Sequence, residues 1–98
     1  MKIAVASSGK EKDSKVSEMA GRAPYYLLFN EKGELEDTIK NPFAIGGGGA
    51  GWSVAHMLAE KGVKQVIAGR AGPNMEFALK QKKIKFKQTS GKVSDSLR

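Results

Sequence analysis

Apolar residues in this chain gather in short dense runs separated by polar or glycine-rich breaks. Ile3-Ala4-Val5-Ala6 and Tyr25-Tyr26-Leu27-Leu28-Phe29 are continuous runs of the kind found in strands buried on two faces. Leu35 to Lys40 alternates weakly after the turn Glu31-Lys32-Gly33-Glu34 and is closed by Asn41-Pro42, which predicts an edge strand antiparallel to the one before it. The period then becomes helical. Val54, Ala55, Leu58 and Ala59 share one side of a wheel with Trp52, Ser53, His56 and Glu60 share the other, and Gly62 is the stop. Lys64 to Ala68 predicts a fourth strand. Pro73 opens a second helix with Met75, Ala78 and Leu79 on its apolar side, Ile84 and Phe86 alternate with Lys85 and Lys87 as a fifth strand, and Val93 to Leu97 makes a last short helix.

The resulting order is β-β-β-α-β-α-β-α. Strands four and five are each reached through a helix, so the right-handed crossover rule sets them parallel to strand one. The expectation is an α/β fold, a five-stranded mixed sheet with helices packed on it. With 98 residues and 40% hydrophobic content, residues 1–98 make one domain and one core. A chain of this size buries about 60–65% of its unfolded surface, enough to fold without a staple. Cysteine is absent, which removes disulfides, thiolate catalysis and cysteine-held iron–sulfur clusters. The N-terminal apolar run is too short for a signal peptide and no stretch approaches the ~20 apolar residues of a membrane span, so a cytoplasmic protein that does not enter a membrane is expected.

Two breaks carry chemistry. Between Ile45 and Trp52 stand Gly46, Gly47, Gly48, Gly49, Ala50 and Gly51, five glycines in six positions before a helix. Glycine is costly to order, so a run this dense suits backbone that turns sharply or approaches a bound group, and the N–H groups of a helix start favour an anion. Gly69-Arg70-Ala71-Gly72-Pro73-Asn74 repeats the device before the second helix. In open sheets ligands bind beyond strand carboxyl ends near a helix start, which places both loops and the segment after strand one at one edge.

Arg22 follows Gly21 in that segment; its guanidinium is permanently charged and bidentate, suited either to clamping an oxyanion or to tying its own loop to carbonyls. Arg70 adds a second fixed charge beside a glycine loop, or pairs with Glu76. His56 has no second histidine to make a metal pair and reads as a surface residue; Trp52 reads as a packing residue. The net charge of +7 is concentrated at the end of the chain, where Lys80, Lys82, Lys83, Lys85, Lys87, Lys92 and Arg98 face only Asp95. That segment is either a solvated lysine face or a patch for nucleic acid or an acidic partner, and it interleaves no arginine or aromatic apart from Phe86.

Catalytic patterns are missing. Strand one carries Ala4 and Ala6 where a two-metal nuclease needs a central carboxylate, and Asp13, Asp37 and Asp95 are scattered. The glycine run lacks the Lys-Ser/Thr that ends a P-loop and meets the GxGxxG spacing only trivially.

Several pieces together resemble a known family. They are Met1 to Ala6, Val16-Ser17-Glu18, Gly21-Arg22-Ala23-Pro24-Tyr25-Tyr26, Asn41-Pro42, Gly48-Gly49-Ala50-Gly51, Ile67-Ala68-Gly69 and Gly72-Pro73-Asn74. In this order they are similar to the small dinitrogenase iron-molybdenum cofactor proteins related to NifX, NafY and the C-terminal part of NifB. The resemblance covers nearly the whole chain and implies a ribonuclease H-like fold. It also implies non-enzymatic binding or carrying of an anionic metal–sulfur cluster, iron–molybdenum cofactor or a precursor among them, with a cluster-donating or cluster-accepting protein as partner. Three positions depart from the family pattern. Met19 and Ala20 stand where a histidine and a phenylalanine are usual, and Arg70 occupies a spot usually small or apolar. A thioether is a soft, weak ligand, so Met19 either substitutes for the histidine or covers apolar surface.

The residues expected at the binding site are Met19, Gly21, Arg22, Gly47, Gly48, Gly49, Ala50, Gly51, Arg70, Gly72 and Asn74. No metal ligand is assigned among them, and no catalytic residue or organic cofactor is expected. The alternatives are an acidic-partner or nucleic-acid module acting through the lysine-rich segment, nucleic acid being the less favoured of the two partners, and a nucleotide-binding regulator.

Overall fold

The computed structural model describes residues 2–45 and 50–97. The chain forms strands β1 (Lys2–Ser7), β2 (Tyr25–Phe29) and β3 (Leu35–Lys40), helix α1 (Ala50–Glu60), strand β4 (Val63–Ala68), helix α2 (Pro73–Gln81), strand β5 (Lys85–Gln88) and the short helix α3 (Val93–Ser96). One sheet holds all five strands in the order β3-β2-β1-β4-β5. β1 pairs antiparallel with β2 and β2 antiparallel with β3, while β1–β4 and β4–β5 are parallel. The expected mixed α/β sheet is therefore present.

Period-two alternation divides the core. On one face Ala4, Ala6, Tyr26, Leu28, Val66 and Ala68 pack under Val54, Ala55 and Leu58 of α1 and Met75, Ala78 and Leu79 of α2. On the other, Val5, Leu27, Phe29 and Ile67 are covered by Val16 and by Val93 of α3. This explains why β1 and β2 read as continuous apolar runs: both faces of each are dry.

Among the described residues helix α1 spans Ala50–Glu60, so Ala50 and Gly51 are helical. It ends where Gly62 takes φ +81°, a left-handed conformation that glycine adopts without strain. Trp52 departs from the expectation. It is 41% exposed, off the buried stripe of Val54, Ala55 and Leu58, and stands edge-on to Phe77 of α2 with ring centroids 5.6 Å apart. The wheel grouped it with the apolar side because its bulk is apolar, but it lies four residues before exposed His56 on the solvent side.

Candidate functional site

The segment after β1 is folded by its own backbone. Ser7 is fully buried, and its hydroxyl donates to the Gly9 carbonyl at 2.6 Å. The chain then doubles back, so that Val16 bridges Ser7 and the Ser17 N–H donates to the Ala6 carbonyl at 2.7 Å. Ser17 to Ala20 lies beside the outgoing end of β4: the Gly69 N–H donates to the Ser17 carbonyl at 2.9 Å, and the Ala20 N–H to the Arg70 carbonyl at 2.9 Å. A Cβ on Gly69 would stand 2.6 Å from the Glu18 carbonyl oxygen. This glycine admits a neighbouring backbone, which is a reason for it that involves no ligand.

Ala20–Arg22 forms a 3-10 turn, and the core holds it. The buried Tyr26 hydroxyl donates to the Ala20 carbonyl. Burial pushes the Tyr26 pKa far up, so this donor stays protonated. Asn41, 4% exposed at the end of β3, donates from Nδ2 to the carbonyls of Ala23 at 2.9 Å and Gly21 at 3.3 Å. Its Oδ1 accepts the Phe43 N–H at 3.0 Å. Beyond their place in the family pattern, Asn41 read as a strand terminator and Tyr26 as part of an apolar strand run, neither as a clamp on this turn. A polar group set in or just after an apolar run was the available signal, because a buried polar atom requires a partner.

Across from this turn the starts of α1 and α2 touch. A Cβ on Gly51 would lie 2.7 Å from the Met75 Cβ and 2.9 Å from the Met75 nitrogen, so only glycine permits the approach. The three pieces enclose a cavity of about 170 Å³. Met19, Gly21 and Arg22 line it from the turn, Ala50 and Gly51 from α1, and Gly72 to Met75 from α2. Seven of the expected site residues thus meet in one place. Arg70 stands beside it, its Nε 3.0 Å from the Met19 sulfur, and not against Glu76. Gly47, Gly48 and Gly49 lie outside the described residues. Met75 lines the cavity although its apolar helix face marked it only as core.

The electrostatics favour a negative guest. Among the described residues no carboxylate lines this cavity. Gly72 caps α2 without a side chain to accept from the first turn, and Pro73 has no N–H, so the Asn74 and Met75 amides are among the unpaired donors of a helix start. Among the described residues no group of three or more His, Cys, Asp or Glu could hold a metal ion. His56 instead faces Glu60 at 3.4 Å, with its side chain 65% exposed. A larger hollow of about 590 Å³ opens between Lys15–Glu18 and Gln88–Gly91, but its side chains carry both signs of charge.

These features define a class: an α/β domain whose cleft, beyond the carboxyl ends of β1 and β4, is walled by backbone, thioether and guanidinium groups. The chain belongs to the dinitrogenase iron-molybdenum cofactor family, whose model matches residues 1–98. Among solved structures it is similar to a Thermotoga protein provisionally assigned as NifB, with 32% identity and a TM-score of 0.82 over 98% of this chain and 83% of that one. It is also similar to the apo form of the orange protein of Desulfovibrio gigas, with 27% identity and a TM-score of 0.90 over 98% of this chain and 82% of that one. Among curated proteins none is detectably similar. No helix among the described residues is long and apolar enough to cross a membrane.

Proposed function

We propose that this protein binds and carries an anionic metal–sulfur cluster, without catalysis, in the cavity between the Ala20–Arg22 turn and the starts of α1 and α2. The observation that carries the reading is the convergence of those three pieces on one space lined by Arg22 and, among the described residues, by no carboxylate. Family membership supports the cargo class. The strand order β3-β2-β1-β4-β5 with α1 and α2 over one face supports the ribonuclease H-like reading of the fold.

The donor set defines how such a cargo is held. With no thiolate, and with Met19 and Met75 as the soft side chains at the wall, grip comes from charge and amide hydrogen bonds more than from coordination. The space of about 170 Å³ is below the roughly 300 Å³ of a pocket for a drug-sized ligand, so a compact thiometallate fits inside and a larger cluster sits partly in the mouth. Anaerobic incubation with tetrathiomolybdate and copper, or with isolated cofactor, yields a coloured stoichiometric complex that Arg22→Ala weakens. Absence of uptake by the wild-type protein overturns the reading. Uptake unchanged in Arg22→Ala removes the cavity from it.

A further inference from the structure

The fold gathers lysines that the sequence keeps apart. The cleft lies at the carboxyl ends of the parallel strands, and the opposite end of the sheet is formed by the starts of β1, β4 and β5. Lys2 opens β1, Lys61 and Lys64 flank the entry to β4, and Lys82, Lys83 and Lys85 flank the entry to β5. These three strands are neighbours, with Lys2 opposite Val63 and Gln65 opposite Lys85, so the six lysines fall along a rim only about 10 Å wide at the backbone. Carboxylates border this end as well: Glu60 faces His56, the β2–β3 turn beside the start of β1 carries Glu31 and Glu34, and Glu76 lines a hollow together with Lys85. None of the six lysines is paired with a carboxylate among the described residues. At the cleft end Lys10, Lys12 and Lys15 alternate directly with Glu11 and Asp13 along one segment.

A second observation concerns Lys83. Helix α2 closes with the Ile84 N–H bonded to the Leu79 carbonyl at 2.9 Å, and Lys83 takes φ +59°. That is the position of a helix end where glycine is favoured. The matching corner after α1 uses Gly62 at φ +81°. Strain of this kind persists where something else selects the side chain.

We propose that this rim is the docking surface for the acidic face of a partner protein. The chemistry favours a protein over nucleic acid. Among the described residues the rim contains no arginine to fork onto a base edge and no exposed aromatic to stack, and it is a compact cluster, not a track along which a phosphate backbone would run. Exposed lysine ammoniums steer and register an acidic surface in a salt-dependent way. The site faces away from the cleft, so it stands or falls independently of what the cleft binds.

The test measures anisotropy of a labelled polyglutamate peptide at low and at physiological salt. Two triple variants of equal net charge are compared, Lys64→Glu/Lys83→Glu/Lys85→Glu at the rim and Lys10→Glu/Lys12→Glu/Lys15→Glu at the cleft end. The rim variant loses about tenfold in affinity, the combined effect of three exposed ion pairs, while the other stays within about twofold of wild type. Equal losses mean that net charge alone binds the peptide and overturn the proposal, as does absence of binding by the wild-type protein. Rim-dependent binding of duplex DNA tighter than that of the peptide overturns it in favour of nucleic acid. Lys83→Gly gives an independent readout: the melting temperature rises as the strain is relieved, and peptide affinity falls. A rise in stability with no change in affinity removes Lys83 from the surface.

Discussion

Replacing Asn41 by aspartate changes one buried amide nitrogen into an oxygen and leaves the side chain's shape intact. The Oδ1 that accepts the Phe43 N–H at 3.0 Å survives. The nitrogen that donates to the Ala23 and Gly21 carbonyls becomes an acceptor facing two acceptors. Each lost bond costs about 1 kcal/mol net, and burying an unpaired charged group adds about as much again or more, giving roughly 3 kcal/mol at neutral pH. For a domain of about 100 residues each kcal/mol moves the midpoint by about 4–8 °C, so the expected fall is about 12–24 °C. Its pH dependence has a definite sign. Burial and the facing carbonyls raise the pKa of the new carboxyl above the unfolded value of about 3.9, so the penalty is full at neutral pH and shrinks as pH falls and the protonated group again donates to one carbonyl. Far-UV circular dichroism melts from neutral pH down to about pH 4 follow the whole curve. A midpoint at neutral pH within about 4 °C of wild type, less than about 1 kcal/mol, refutes the claim that this amide clamps the turn.

Three further substitutions read other contacts. Gly51→Ala places a Cβ 2.9 Å from the Met75 nitrogen, backbone that cannot step aside, and costs about 1–2 kcal/mol after the gain in helix propensity, seen as a lower midpoint in urea. Gly69→Ala drives a Cβ to 2.7 Å from the Glu18 Cα and costs more, about 2–3 kcal/mol, with weaker cargo binding in the same preparation because the Met19 segment is displaced. Tyr26→Phe leaves the Ala20 carbonyl without its donor and destabilises by about 1–2 kcal/mol at neutral pH. In the wild type the buried phenol stays neutral while the unfolded phenol ionises above its ordinary value of 10.0. Stability therefore falls with pH beyond that point by about 1.4 kcal/mol per unit, and the phenylalanine variant lacks this component; identical alkaline slopes in the two proteins would contradict the burial of Tyr26.

The elements were legible because their signals are local. Tyr25–Phe29 and Leu35–Lys40 coincide with the sequence reading to the residue, since an apolar run bounded by turn residues leaves little choice. Gly62 was readable as a stop for the same reason. The parallel placement of β4 and β5 followed from chain chirality and not from any residue. What stayed hidden depends on contacts distant in sequence. Nothing near Gly69 announces Glu18, and nothing near Gly51 announces Met75, so the close backbone approach that each glycine also permits could not be read from the sequence. The Ala20–Arg22 turn has no periodicity to find, and its clamps come from Tyr26 and Asn41 further along the chain. The lysine rim was half visible. Its C-terminal members form a run, but Lys2, Lys61 and Lys64 join them only through the sheet.

The wall around the cavity has a consequence for how such a site changes over time. Where specificity rests on side chains, one exchange can retune it. Here main-chain groups of Gly21, Gly51 and Gly72 form much of the wall, and their positions are set at residues that need not contact a guest: Tyr26, Asn41, and the glycine at 69. On the proposed function, drift in the interior is then a route by which the guest would be altered. Two relatives with the same lining residues can hold different cargoes, and a comparison confined to the rim of the opening would miss the reason.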